Sequence, residues 1–154
     1  MSGSPPVRVL AVASAGGHWT QLLRLRPAFD GCDVTFLTTD KGDGNAAGEG
    51  ARVLRVNDAS RWNKFGVLRM AARVLFAVLR VRPDVIVSTG AAPGYFALRF
   101  GRWVGARTVW LDSIANADEL SMTGRMVRPY ADLWLTQWEH LAAPEGPEFA
   151  GAVL

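Results

Sequence analysis

Short apolar runs alternate along this chain with longer stretches in which apolar side chains recur every three or four positions. The runs Val7–Ala13, Asp33–Thr39, Arg52–Val56, Asp84–Ser88, Ala106–Leu111 and Ala131–Thr136 are rich in Val, Leu, Ile, Trp and Phe and predict strands. The intervening stretches Trp19–Arg26, Trp62–Arg82, Gly94–Val104 and Met122–Tyr130 predict helices, the long one stopped by Pro83 and the third by Gly105. Asp40–Gly50 is glycine-rich and polar and predicts a mobile loop. Strands that are apolar on both faces need cover on both. The alternation therefore predicts an α/β, Rossmann-like fold, a mostly parallel sheet with helices on both faces, in a single domain spanning 1–154.

Composition narrows the class. With 154 residues and 49% apolar content the chain can bury one sizeable core and is too apolar for disorder. No stretch reaches the roughly 18 uninterrupted apolar residues of a membrane span. The best candidate, Val67–Val81, is interrupted by Arg69, Arg73 and Arg80. Met1–Pro6 is polar and proline-bearing without the apolar core of a signal peptide, so a soluble or peripheral, cytoplasmic protein is expected. Cys32 is the only cysteine, which excludes an intrachain disulfide and suits a reducing compartment. The net charge of +3 is carried by arginine, the only lysines being Lys41 and Lys64. Guanidinium forks suit phosphate oxygens, although a GC-rich genome gives the same bias.

In a parallel sheet, ligands bind beyond the carboxyl ends of the strands. Three loops are expected to converge there: Ser14–His18, Thr89–Gly94 and Asp112–Ser121. The first is the most informative. Its adjacent Gly16 and Gly17 let the backbone approach a ligand, and the following helix presents unpaired N–H groups and a positive dipole end. His18 adds a side chain that exchanges a proton near neutral pH. It suits a general base toward an acceptor hydroxyl, a cation against a diphosphate, or a cap residue. Ser14 opens the same loop. Thr89, Gly90 and Gly94 repeat the glycine-and-helix arrangement and suit phosphate, the alternative being a tight connection with Pro93 beginning the helix.

Asp112, Ser113 and Asn116 follow a strand on the same edge and suit sugar hydroxyls, with a cap or turn role as the alternative for Asp112. Asp118 and Glu119 read as solvated loop charges, with the role of base, should His18 not fill it, as their alternative, and His140 reads as structural. No metal site is expected. Gly-x-Gly-x-x-Gly is absent, but Asp40 after the second strand keeps a Rossmann-type nucleotide-binding oxidoreductase among the alternatives.

The long helical stretch has two faces at about 100° per residue. Val67, Leu68, Ala71, Val74, Leu75, Val78 and Leu79 are expected to cover the sheet. The opposite stripe is Trp62, Phe65, Arg69, Arg73, Phe76 and Arg80, aromatics mixed with arginine and no acid. That composition suits an anionic membrane surface, with rings at the interface and guanidinium groups on lipid phosphates. Tyr95, Arg99, Arg102 and Trp103 extend it. A protein–protein interface is the alternative. Nucleic acid is not expected, because no nucleic-acid motif accompanies the basic face.

Three stretches together resemble a known family. They are Ser14-Ala15-Gly16-Gly17-His18-Trp19-Thr20-Gln21-Leu22; Ser88-Thr89-Gly90-Ala91-Ala92-Pro93-Gly94; and Leu111-Asp112-Ser113-Ile114-Ala115-Asn116 with Leu120-Ser121-Met122-Thr123-Gly124-Arg125 and Tyr130-Ala131-Asp132-Leu133-Trp134-Leu135-Thr136-Gln137-Trp138-Glu139. The family is the acceptor-side subunit of split GT-B glycosyltransferases. It includes the membrane subunit of the dolichol-linked UDP-N-acetylglucosamine transferase and polysaccharide-biosynthesis proteins of the PssD and CpsF type, with a more distant likeness to the N-terminal half of MurG. Family members often carry Arg where Asn116 stands and Glu where Asp112 stands. Eukaryotic relatives have an N-terminal membrane anchor that this chain is expected to lack.

The resemblance implies one half of an enzyme. In a GT-B glycosyltransferase the nucleotide-sugar sits in the C-terminal domain and the acceptor in the N-terminal one. The chain is therefore expected to need a donor-binding partner with a GT-B C-terminal-like domain, and not to turn over alone. The implied reaction uses no cofactor or metal. A UDP-sugar, bound mainly by the partner, is the substrate, and a polyprenyl-diphosphate-linked saccharide is the acceptor. The implied place is the cytoplasmic face of the plasma membrane, in polysaccharide or glycolipid biosynthesis, with a peripheral attachment. The likeness runs through Phe149–Leu154, and the apolar tail through Leu154 is the expected docking element for the partner. A non-catalytic membrane recruitment scaffold is the alternative.

Overall fold

The computed structural model of the chain describes residues 3–153. Met1 and Ser2 of the polar leader, and Leu154 at the end of the expected docking tail, lie outside the described residues. Strands β1 (Arg8–Ala13), β2 (Asp33–Thr39), β3 (Arg52–Val56), β4 (Val85–Gly90), β5 (Arg107–Leu111), β6 (Leu133–Thr136) and β7 (Glu148–Phe149) form one sheet. Their spatial order is β3-β2-β1-β4-β5-β6-β7, and every pairing is parallel. Helices α1 (Gly17–Arg24), α2 (Lys64–Val81), α3 (Ala91–Gly101) and α4 (Met122–Met126) cover it. This is the expected α/β, Rossmann-like architecture.

Strand alternation divides the core into two layers. Leu10 and Val12 of β1 point into a cluster with Met70, Val74 and Val78 of α2 and Ala97 and Leu98 of α3. Val9, Ala11 and Ala13 point the other way, against Trp19 and Leu22 of α1 and against Phe29 and Phe36. The chain winds outward from β1 to β3, then returns to β4 on the other side of β1. That reversal opens a crevice between β1 and β4 at their carboxyl ends. A register shift between Val12 and Ala13 sets Ala13 opposite Gly90, so the first two glycine loops leave the sheet side by side.

Helix α2 is capped by Asn63, whose side-chain oxygen accepts from the Gly66 N–H at 3.0 Å, and it ends at Arg82 in the left-handed region before Pro83. Its buried positions are Gly66, Met70, Val74, Ala77 and Val78. The expected sheet-facing stripe is therefore rotated. Leu68 and Leu79 belong to the outer surface, 67% and 50% exposed. At about 100° per residue the covered arc runs from Gly66 and Ala77 at one edge, through Met70 and Val74, to Val78 at the other.

Other elements also differ from expectation, α1 running from Gly17 to Arg24 and α2 starting at Lys64. Helix α3 starts at Ala91 and not at Gly94, because β4 passes straight into it through Gly90 (φ 142) and Ala91 (φ 68). The last expected helix, Met122–Tyr130, stops at Met126 and continues as a 3-10 turn over Arg128–Tyr130, where Pro129 has no N–H to extend it. Strand β7 is additional to those expected.

The Asp40–Gly50 segment holds more structure than its composition suggests. Gly44–Ala47 forms a 3-10 turn capped by Asp43, Trp19 Nε1 donates to the Asp43 carbonyl at 2.9 Å, and Arg55 donates to the Gly42 carbonyl. Among the described residues no helix is long and apolar enough to cross a membrane.

Candidate acceptor site

At the carboxyl edge of the sheet a cavity of about 250 Å³ opens between the start of α1 and the loop after β5. Gly17, His18 and Gln21 line it from α1, and Ser113, Ala115, Asn116, Ser121 and Thr123 from the other side. No carboxylate is among these lining residues.

His18 is half-buried, and its Nδ1 lies 3.0 Å from the Thr89 carbonyl oxygen. A carbonyl only accepts, so Nδ1 carries the proton and the neutral ring keeps its lone pair on Nε2. Thr89, fully buried, also donates its hydroxyl to the His18 carbonyl at 2.7 Å. The two bonds tie the first turn of α1 to the end of β4. Thr89 thus touches His18 and not the cavity.

Both glycine-loop helices begin bare. Gly16 (φ 85) precedes α1 and Gly90 precedes α3, and neither helix start has a side-chain cap bond. The first N–H groups of α1 are consequently left for a ligand or solvent. Ser14 is half-buried just before this turn, and Gly17 lines the cavity. Gly94 has a different setting from the rest. It lies buried in the first turns of α3, where an added Cβ would overlap Ser88 and press on Trp110, so it serves close packing of α3 on β4 and β5.

Asp112 is 1% exposed and its carboxylate is saturated from within the chain. One oxygen accepts from Trp110 Nε1 at 3.0 Å and the Ser121 hydroxyl at 2.6 Å. The other accepts from the Ser121 N–H at 2.9 Å and Asn116 Nδ2 at 3.3 Å. Ser121 in turn caps α4, its oxygen accepting from the Gly124 N–H at 2.8 Å. A side chain on Gly124 would collide with Asp112 and Ser121, which accounts for the glycine. Asp112 therefore folds the Ser113–Ser121 loop over the cavity, while Ser113 and Asn116 line it. Trp138 Nε1 donates to the Ile114 carbonyl at 2.8 Å, and a ring nitrogen of His140 lies 2.6 Å from the Ala117 carbonyl, so both pin the same loop. Glu119 pairs with Arg125 at 3.1 Å on the surface.

Beneath the loop lies a buried amide pair that sequence reasoning quoted but did not single out. Gln21 and Gln137, 5% and 3% exposed, meet at 2.6 Å. Gln21, Ser121 and Thr123 are also cavity residues missed as candidates; only their place in the family-like stretches pointed to them.

The aromatic and basic stripe lies elsewhere. Trp62 and Phe65 are each 80% exposed, Phe76 is 66% exposed, and Arg69, Arg73 and Arg80 are exposed beside them. Arg69, Arg73, Phe76 and Arg80 border a groove of about 500 Å³ between α2 and strands β2 and β3, with Leu37, Leu54 and Val56 on its floor. No residue lines both this groove and the His18 cavity.

Comparison with known proteins agrees with this arrangement. MurG of Acinetobacter baumannii has the same fold, with a TM-score of 0.76 at 15% identity over 94% of this chain and 46% of that chain. The chain thus spans about half the length of that protein. The UDP-N-acetylglucosamine transferase subunit ALG14 of Eremothecium gossypii is 27% identical over 169 aligned residues, covering 90% of this chain and 75% of that protein. Its counterpart in Schizosaccharomyces pombe is 30% identical over 100 residues, covering 60% of this chain and 40% of that protein. The family model described as oligosaccharide biosynthesis protein Alg14 like matches residues 48–153, which takes in the second glycine loop, the Asp112 loop and the amide at Gln137. With that match extending over most of its length, the chain belongs to the Alg14-like oligosaccharide biosynthesis family.

Proposed function

We propose that this chain is the acceptor-binding, membrane-associating subunit of a two-component glycosyltransferase that moves a sugar from a UDP-sugar to a lipid-diphosphate-linked saccharide. The observation that carries the reading is the anchoring of His18 Nδ1 on the Thr89 carbonyl, which leaves Nε2 as a basic nitrogen on a residue that lines the cavity. The relatives' names, UDP-N-acetylglucosamine transferase subunit, support the reaction class and make UDP-N-acetylglucosamine the first donor to try.

The chemistry follows from that nitrogen. An acceptor hydroxyl within hydrogen-bonding reach of His18 Nε2 gives up its proton as its oxygen attacks the anomeric carbon. The new C–O bond forms as the bond from that carbon to the UDP phosphate breaks, and UDP leaves with the electron pair. Stabilising the departing diphosphate requires donors that face it. Those belong to a donor-binding partner closing over this edge of the sheet. The exposed Trp62, Phe65, Phe76 and neighbouring arginines hold the subunit at an anionic membrane surface at the cytoplasmic face, where a polyprenyl-linked acceptor resides.

The test is reconstitution with a donor-binding partner, anionic vesicles and a polyprenyl-diphosphate saccharide. His18→Ala is expected to lower transfer by about 100-fold or more, the usual worth of a positioned base, with vesicle binding unchanged. Undiminished transfer by His18→Ala would reduce the subunit to a tether for its partner. Transfer at full rate by the chain without any partner would remove the two-component reading.

A further inference from the structure

The half-buried Val153 backbone and three buried side chains form a one-way chain of hydrogen bonds that ends at the cavity. The Val153 N–H donates to Gln137 Oε1 at 2.8 Å, and Gln137 Nε2 donates to Gln21 Oε1 at 2.6 Å and to the Asp112 carbonyl at 2.9 Å. Gln21 Nε2 then donates to Ser113 Oγ at 3.0 Å. Backbone groups fix the direction at both amides. Val153 N–H and the Asp112 carbonyl allow one orientation of Gln137, and the Ile114 N–H, donating to Gln21 Oε1 at 3.1 Å, allows one orientation of Gln21.

Ser113 Oγ also accepts from the Ala115 N–H at 3.2 Å. Both lone pairs of the hydroxyl are then in use and only its proton remains. Ser113 is 4% exposed and lines the cavity, and none of the described residues accepts that proton. We propose that Gln137 and Gln21 are positioning residues that fix Ser113 as an obligate donor to an anionic oxygen in the His18 cavity, with the Val153 segment setting the direction of the chain. The ligand group is a phosphate or diphosphate oxygen. The bare first turn of α1 supplies further donors, and the lining holds no carboxylate to repel an anion. This rests on the reading of the cavity as the acceptor site, and it assigns to the cavity the acceptor's diphosphate as well as its hydroxyl.

The probe is inorganic pyrophosphate, titrated onto the full chain by calorimetry, with thermal unfolding as a check of folding. Ser113→Ala is expected to weaken binding about tenfold, the worth of one hydrogen bond to a charged group, and Ser113→Thr to restore most of it. Gln21→Glu keeps the bonds from Ile114 and Gln137 but turns the Ser113 proton back toward residue 21. In that background Ser113→Ala should cost less than twofold more. Gln137→Glu, unable to donate to Gln21, should weaken binding in the same way.

Wild-type affinity in Ser113→Ala overturns the proposal, and this single variant decides the matter should the glutamate variants fail to fold. Losses that multiply in the double variant also overturn it, because charge repulsion alone would leave the Ser113 contribution intact. No sugar transfer enters this measurement. A wrong acceptor or donor in the reconstituted reaction therefore registers separately from a wrong account of Ser113.

Discussion

The His18 imidazole occupies the space that a side chain at Gly90 would fill. Position 90 also has φ 142, a conformation that side-chain-bearing residues rarely adopt. The two facts combine into one prediction. Gly90→Ala should lower stability by about 1–3 kcal/mol and, by displacing the ring from the Thr89 carbonyl, reduce transfer to the level of His18→Ala. Urea unfolding and the reconstituted assay measure the two parts separately.

Ala91, next in the chain, holds φ 68 without being glycine. A Cβ in the left-handed region is strained, and the strain sits where β4 turns into α3. Ala91→Gly is expected to raise the unfolding free energy by about 0.5–1 kcal/mol, the relief of strain exceeding the entropy that glycine adds to the unfolded chain. A lower urea midpoint in the variant would contradict this.

Acid should weaken the fold through Asp132. The Thr108 backbone N–H, then Arg102 and the Thr108 hydroxyl, hold its carboxyl below the ordinary value of 3.8, with partial burial opposing them. A carboxylate depressed in the folded state contributes stability that is complete above the unfolded value and lost as pH falls through the folded one. Asp132→Asn should therefore be less stable than wild type at neutral pH, and the gap should narrow toward about pH 3. Asp84 acts in the same direction through its bonds to Arg8, so some acid dependence remains in the variant. Urea midpoints at the two pH values decide it.

Membrane attachment should depend on charge. Each of Arg69, Arg73 and Arg80 is expected to contribute about 1 kcal/mol on an anionic surface. Replacing all three by Ala should reduce binding to phosphatidylserine-containing vesicles by about 100-fold, and the wild-type affinity should fall steeply with salt. Replacing Phe65 and Phe76 by Ser should weaken binding with little change in that salt slope. Binding to neutral vesicles as tight as to anionic ones would exclude the electrostatic part.

The fold was legible in the sequence because its signals are local. Each of β1 to β6 announces itself as an apolar run, and glycines mark where the strands turn into α1 and α3. Glu148 and Phe149 have no such signal. They form β7 only because Leu135 and Thr136 of β6 offer an unpaired edge. The aromatic and basic stripe of α2 was legible for the same reason as the strands, while the fate of Leu68 and Leu79 depended on how widely neighbouring elements cover the helix.

Within the site, His18, Ser113 and Asn116 stand where the sequence suggested. The saturated surroundings of Asp112 could not be read from its type. Nor could the meeting of Gln21 with Gln137, which are 116 positions apart and brought together by the packing of α1 beside the end of β6.

Among the described residues all seven strands run the same way. The turns that carry His18, Gly90 and Asp112 consequently leave a single rim, and the two apolar layers lie below it. Ala115 and Asn116 on that rim line the cavity and can change without disturbing the layers below, whereas Gly90 and Asp112 cannot.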